Sequence, residues 1–279
     1  DEYKTLIEAE QTDKDKMLIY IYATDKVAQY NYIEAAKNKG YSVLMMDGQL
    51  DVHFIGMLEQ KLEKCRFVRV DSDIVENLVR KEDKPEVTLT PAQRDMMTTL
   101  FKSQIPAVEK AEFMVMFEAI GTTAQPIVIT QNEFMRRMKD MSAMQPGMSF
   151  YGEMPDSYNL IVNTQHPLSQ RVLNEAEAAC NAEINPLREQ IDALNKEISE
   201  WQESHKDKKS DEIPADEKDA LKAKEDEVAA LRRQENELLS NYAADNKLIR
   251  QLVDLALLSN NMLKGEALSR FVKRSVELL

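Results

Sequence analysis

The chain has 279 residues, 30 % of them charged and only 6 % aromatic, with a formal net charge of −13. That length allows two domains, and the balance suits helices with solvated faces better than a β-sandwich. The acidity excludes a nucleic-acid scaffold, because a phosphate-binding face needs clustered Lys and Arg.

Two cysteines, Cys65 and Cys180, lie far apart and give no disulfide framework, which fits a reducing cytoplasm. No apolar run approaches the roughly 18 residues of a spanning helix, so no membrane partner is expected. Asp1-Glu2-Tyr3-Lys4 resembles neither a signal peptide nor a native start, and the chain reads as a soluble piece of a longer protein.

After a polar lead-in, residues 17–23 (MLIYIYA) predict a buried parallel strand. Thr24-Asp25 offers an N-cap, Val27, Tyr30, Ile33 and Ala36 recur at helical spacing, and Gly40 supplies the stop. Residues 42–46 repeat the apolar run, Asp47-Gly48 turns the chain, Phe54, Met57, Leu58 and Leu62 mark a second helix, and residues 66–70 form a third strand. Asp71-Ser72-Asp73 then caps a short helix through Leu78 and Val79. The alternation predicts a small β-α-β-α-β layer.

Such layers often bind nucleotides, but no Gly-x-Gly-x-x-Gly and no Gly-Lys-Ser/Thr loop is present to cradle phosphates. Asp71 and Asp73 have the chemistry to hold magnesium, and helix capping explains them more simply. His53, His166 and His205 are remote from one another and from both cysteines, leaving neither a metal set nor a nucleophile with its base. No catalytic residue, cofactor site or metal site is expected in this chain.

Residues 81–85 (KEDKP) form a charged, proline-ended link where a domain boundary is placed. Thr90-Pro91 opens a helix carrying Met96, Met97, Leu100 and Phe101. Residues 113–117 and 126–130 predict two strands joined through Gly121-Thr122-Thr123, with a third strand at 158–162. Between them lies QNEFMRRMKDMSAMQPGM, residues 131–148. Phe134, Met138 and Met141 share one helical stripe, Met135 and Met144 lie beside it, and Arg136, Arg137, Lys139 and Asp140 fill the remaining positions. The stripe either packs on the three-stranded sheet or offers an adaptable methionine surface to unlike partners. A basic helix of this kind also suits a membrane surface, which the overall acidity disfavours.

Further on, Leu187, Ile191, Leu194, Ile198 and Trp201 follow 4-3-4-3 spacing. Residues 204–217 break the pattern, and Leu221, Val228, Leu231, Leu238 and Tyr242 restore it with Lys224 and Glu235 at seam positions. An antiparallel coiled-coil hairpin is predicted, with its tip near 208–214 and a kink or restart at Pro186, serving as a strut or a partner site.

Residues 246–279 contain two helical patterns separated by Leu263-Lys264-Gly265. In the first, Leu248, Leu252, Leu255 and Met262 line one stripe, Ile249, Val253 and Ala256 the next, and Leu257 and Leu258 widen it. In the second, Leu268, Phe271, Val272, Val276 and Leu279 make one face. Burying one such side chain is worth roughly 1.5–3 kcal/mol, so this surface calls for a cover. Either a second copy forms an isologous four-helix bundle with it, or both helices dock on the chain's own core.

Taken together, these segments resemble the ninety-kilodalton heat-shock chaperone family in its bacterial HtpG form. Residues 16–70 look like the last α/β layer of that family's middle domain, including the run from lysine-glycine into an apolar strand. Residues 88–173 resemble the start of its C-terminal domain, with Pro126-Ile127-Val128 leading to the methionine helix and Asn163-Thr164-Gln165-His166 standing where the family has an Asn-Pro-Asp-His turn. Residues 246–279 are similar to its dimerisation helices.

The resemblance implies a fold of mixed α/β and α+β type: residues 1–82 end a middle domain, and residues 83–279 form a helix-rich dimerisation domain with a hairpin inserted at 175–242. It implies a homodimer clamped through Leu248, Leu252, Leu255, Leu268, Phe271, Val272, Val276 and Leu279. It also implies contact with unfolded client proteins through Phe134, Met135, Met138, Met141 and Met144. The family's middle-domain client helix offers an acidic-aromatic pair where this chain has Val52-His53, followed by Phe54, which is the residue assigned there. ATP and magnesium are expected in an N-terminal domain that this chain does not contain, so the chain itself should hydrolyse nothing. The competing reading is a structural coiled-coil adaptor whose methionines are core.

Overall fold

Leu18–Ala23 (β1) is apolar at every position and buried at every position, which makes it the middle of a sheet covered on both faces. In the computed structural model, which describes residues 2–48, 50–83, 85–142, 154–206 and 213–277 (and only the backbone at Val52, His53, Asp140 and Met141), β1 lies between Val43–Met45 (β2) and Cys65–Arg69 (β3), parallel to both. Its odd-numbered side chains Ile19, Ile21 and Ala23 pack with Ile33 and Ala36 of α2 (Tyr30–Asn38) and with Leu78 of α4 (Val75–Leu78). The even-numbered Leu18, Tyr20 and Tyr22 pack with Ile7 of α1 (Glu2–Gln11) and Ile55 of α3 (Asp51–Lys61).

Two helix faces differ from the predicted ones. The Asp25 carboxylate accepts from the N–H groups of Val27 and Ala28 at 2.8 and 2.9 Å, so residues 25–29 form a turn and α2 starts only at Tyr30. Val27 and Tyr30 therefore point to solvent. In α3, Ile55 is the buried residue, and Phe54 and Met57 lie outside. The Asp71 and Asp73 carboxylates are engaged locally: Asp71 accepts two hydrogen bonds from Arg69, and Asp73 accepts from the Ile74 N–H at 2.8 Å.

The second sheet has the order Ala111–Glu118 (β4), Asp156–Asn163 (β6), Ile127–Gln131 (β5), so β6 separates the two strands that the sequence joins through Gly121. Hydrophobicity decides this: Leu160, Ile161 and Val162 in β6 are almost completely buried, whereas β4 alternates between exposed and half-buried residues. β4 runs parallel to β6 and β5 antiparallel. The buried Asn163 amide holds the β4–β5 connection, donating to the Gly121 and Gln125 carbonyls and accepting from the Ile120 N–H. Gly121 itself has φ +96°, a conformation that costs glycine least.

The described residues pack as two compact units, each discontinuous in sequence. The first comprises residues 1–90, 105–169 and 251–279 and holds both sheets. The second comprises residues 91–104 and 170–250. In that second unit Pro91–Gln104 (α5) packs against Ala215–Asp245 (α8), and Pro167–His205 (α7) runs uninterrupted through Pro186. Ile191 packs with Val228 and Leu231, with Leu187, Leu194 and Ile198 around them. The expected seam charges are paired, Arg188 with Glu235 at 2.6 Å and Lys224 with Glu197 at 2.7 Å. On α8, which also packs against α5, Leu239 is buried and Leu238 only half-buried.

Within the first unit, the Tyr32 hydroxyl on α2 contacts the Ile129 carbonyl of β5 and lies 2.5 Å from the Asn260 amide oxygen. Burial, followed by the nearby Asp71 charge, raises its pKa above the ordinary tyrosine value. The neutral hydroxyl is thus the form that folding favours. Its contribution is complete below the unfolded pKa of about 10 and is lost as pH rises from there through the folded value. Tyr32→Phe should cost about 1–3 kcal/mol at neutral pH, by leaving unpaired the one acceptor, the Ile129 carbonyl or the Asn260 oxygen, that its single hydrogen serves. It should also flatten the fall in urea-unfolding free energy between pH 10 and 12, and a fall of unchanged steepness would count against this assignment.

Candidate functional site

The methionine segment forms a helix, α6 (Glu133–Ser142), opened by the Asn132 carboxamide oxygen, which accepts from the Met135 N–H at 3.1 Å. Its basic residues face inward. Arg136 is nearly fully buried and donates through Nη2 to the Tyr22 hydroxyl at 2.7 Å and to Glu133 Oε1 at 2.8 Å. Arg137 donates to the same Glu133 oxygen at 2.7 Å, to both Glu59 oxygens at 2.8 and 3.3 Å, and to the Phe67 carbonyl at 2.6 Å. Burial alone would lower the Arg137 pKa, but the hydrogen bonds it donates to Glu59 and Glu133 outweigh that and raise the value, so the guanidinium stays charged. Burial also raises the Tyr22 pKa, with the Glu133 charge adding to it. One helical turn further, Lys139 reaches Asp156 at 2.7 Å.

With the charges turned in, apolar side chains turn out. Phe134 is 69 % exposed, and Met135 and Met138 are half-buried. The side chain of Met141 and all of Met144 lie outside the described residues. On α3, which Glu59 ties to α6, Leu50, Phe54 and Met57 form an exposed i, i+4, i+7 stripe, with Phe54 47 % exposed. The sequence reading left the direction of Arg136 and Arg137 open. The available signal was Glu133 at i−3 and i−4 from the two arginines, a spacing that permits one carboxylate to hold both.

The last two helices are α9 (Lys247–Ser259) and α10 (Gly265–Glu277). Their polar residues link them: Arg274 pairs with Asp254 at 2.5 Å and donates to Gln251 at 2.9 Å, and Gln251 donates to Ser275 at 2.9 Å. Of the residues expected to meet a second copy, Leu252 and Phe271 are buried within the chain, and Leu248 and Leu268 are half-buried. Leu255, Val272 and Val276 stand 43, 52 and 67 % exposed, with Leu258 beside them. Leu279 lies outside the described residues.

A cavity of about 680 Å³ is lined by α2, α4, β5 and α9 residues, where Lys39 faces Glu76 and Tyr32 faces Asn260. Among the described residues there is no group of three or more His, Cys, Asp or Glu placed to hold a metal ion, and no helix long and apolar enough to cross a membrane.

No protein-family model matches this sequence. Over all 279 residues it is 54 % identical to a chaperone protein HtpG of Bacteroides thetaiotaomicron, 52 % identical to one of Bacteroides fragilis and 50 % identical to one of Porphyromonas gingivalis. The chain spans 41 % of the length of each of these relatives. It matches their C-terminal part. Small sheets and long helices with two exposed apolar surfaces thus accompany similarity, at half identity or more along the whole chain, to the C-terminal part of bacterial HtpG chaperones.

Proposed function

We propose that this chain supplies the self-association helices and part of the client-binding surface of an ATP-dependent chaperone of the cytoplasm. The observation that carries the client half is the orientation of α6: two arginines are held in ion pairs, Arg136 buried and Arg137 half-buried, while Phe134 stands in solvent. A soluble helix ordinarily does the reverse. An apolar residue held outward by a buried polar anchor suits partners that are themselves exposed apolar chain, and flexible Met135 and Met138 beside it can adapt to unlike sequences. Phe54 and Met57 extend the same surface onto α3. The exposed side chains of α9 and α10 support pairing with a second copy.

In this reading ATP and magnesium act in a stretch of the parent protein that this chain does not match, and the chain alone hydrolyses no nucleotide. The paired charges between α7 and α8 support an antiparallel coiled-coil hairpin acting as a strut. Domain limits near residues 82 and 83, taken from the family resemblance, belong to the same proposal.

Phe134→Ser combined with Phe54→Ser should weaken suppression of client aggregation several-fold. Both positions are exposed, so the unfolding free energy should stay within about 0.5 kcal/mol. Light scattering of a thermally unfolding client, read beside a denaturant melt of each variant, tests this. Undiminished suppression would sink the client assignment and favour an adaptor with no remodelling role.

A further inference from the structure

Sheet edges are templates for pairing, and proteins block them or keep them short. In this chain β3 and β5 are blocked. The Phe67 N–H donates to Glu59 at 2.7 Å and its carbonyl accepts from Arg137 at 2.6 Å. On β5, Tyr32 covers the Ile129 carbonyl and the Gln131 N–H donates to the Asp71 carbonyl at 3.0 Å. β2 is only three residues long.

β4 has eight residues and is treated differently. At its ends, the Asp156 N–H donates to the Lys110 carbonyl at 2.7 Å and the Thr164 N–H donates to the Glu118 carbonyl at 2.9 Å. With the parallel register between them, these bonds assign the even-numbered residues to the β6 ladder. The N–H and C=O groups of Phe113 and Val115 therefore point away from the sheet, and among the described residues neither has a partner outside it. Beside them Met114 is 63 % exposed and Met116 is also exposed. Glu109 and Glu112 are both in solvent, with Lys110 exposed between them, and Glu112 lies on the same face as Met114 and Met116.

We propose that the Phe113–Val115 stretch of the β4 edge captures an extended segment of unfolded polypeptide by strand addition. The occupant fitting it has apolar side chains on the face that carries Met114 and Met116, and Lys or Arg rather than an acidic residue further along that same face, to meet Glu112. This rests on the client-binding reading and assigns the chemistry of the captured segment. Main-chain hydrogen bonds accept any sequence that can extend, which suits a binder of many clients.

The probe is a capped eight-residue peptide with threonine at the odd positions and valine and lysine sharing the even ones, added to the 279-residue chain and followed by residue-resolved amide exchange. The Phe113 and Val115 amides should slow at least tenfold, and only one of two N-methylated peptides (methylated at every even position, or at every odd one) should lose binding tenfold or more. Val115→Pro removes an outward N–H at an edge, where proline is tolerated, so the fold should persist while peptide binding falls by a similar factor. Binding with unprotected Phe113 and Val115, or equal binding of both methylated peptides, would overturn the proposal. So would protection that grows with protein concentration without peptide, since β4 would then pair with a second copy. A chain that suppresses client aggregation yet leaves these amides freely exchanging refutes the edge alone. One that pairs with the peptide but holds no client refutes the chaperone role and keeps the edge as a peptide site.

Discussion

Leu255→Asp together with Val276→Asp should convert a dimer into a monomer without unfolding the chain. Both side chains are about half exposed or more, so the lone protomer gains little from them. In a two-fold pairing each change occurs twice, and losing about 1 kcal/mol of apolar burial per side chain removes roughly 4 kcal/mol, about three orders of magnitude in Kd. Leu252→Asp or Phe271→Asp should act otherwise, because both residues are buried inside the chain and a charge there unfolds the helix pair. Sedimentation velocity across micromolar concentrations, paired with a thermal melt, separates the two outcomes. An unsubstituted chain that sediments as a monomer at those concentrations would remove the self-association proposal.

Leu252 and Phe271 also show where the sequence was legible and where it stopped. Periodicity found both helices and their apolar stripes, because spacing alone fixes which residues share a face. It could not divide a stripe between the chain's own core and the outside, since that depends on which neighbours arrive. The same limit explains β4 and β5: composition identified both strands, and the choice of β6 as the central strand followed from burial of Leu160, Ile161 and Val162 relative to the alternating β4. Likewise β1 was readable as a continuous apolar run, whereas α3 was misread because Ile55, rather than Phe54 or Met57, meets Tyr20 and Tyr22. Candidate site residues were found by type, as Phe134 and its methionines were, but not by orientation. Orientation was set by Tyr22 and Glu59, more than seventy residues away from α6 in sequence and invisible to any local pattern.

The largest loss of stability should come from that anchor. Arg136→Met leaves Glu133 buried with Arg137 as its remaining cation among these ion pairs and takes the donor from the Tyr22 hydroxyl. Breaking one side of a buried pair costs about 3–5 kcal/mol, because the surviving charge keeps its desolvation penalty without its compensation. Adding Glu133→Gln should recover part of that loss by removing the stranded carboxylate, a coupling that exposed pairs such as Arg270–Glu266 cannot produce. Client holding should fall in Arg136→Met even below the temperature at which the chain melts, since Phe134 is presented only while α6 keeps its register on the first sheet layer. Phe134→Ser, by contrast, should lose holding with an unchanged melt. Urea titrations of the two single variants and the Arg136→Met/Glu133→Gln pair provide the check: a cost under about 0.5 kcal/mol for Arg136→Met would mean that the arginine is solvated and α6 is not anchored through it.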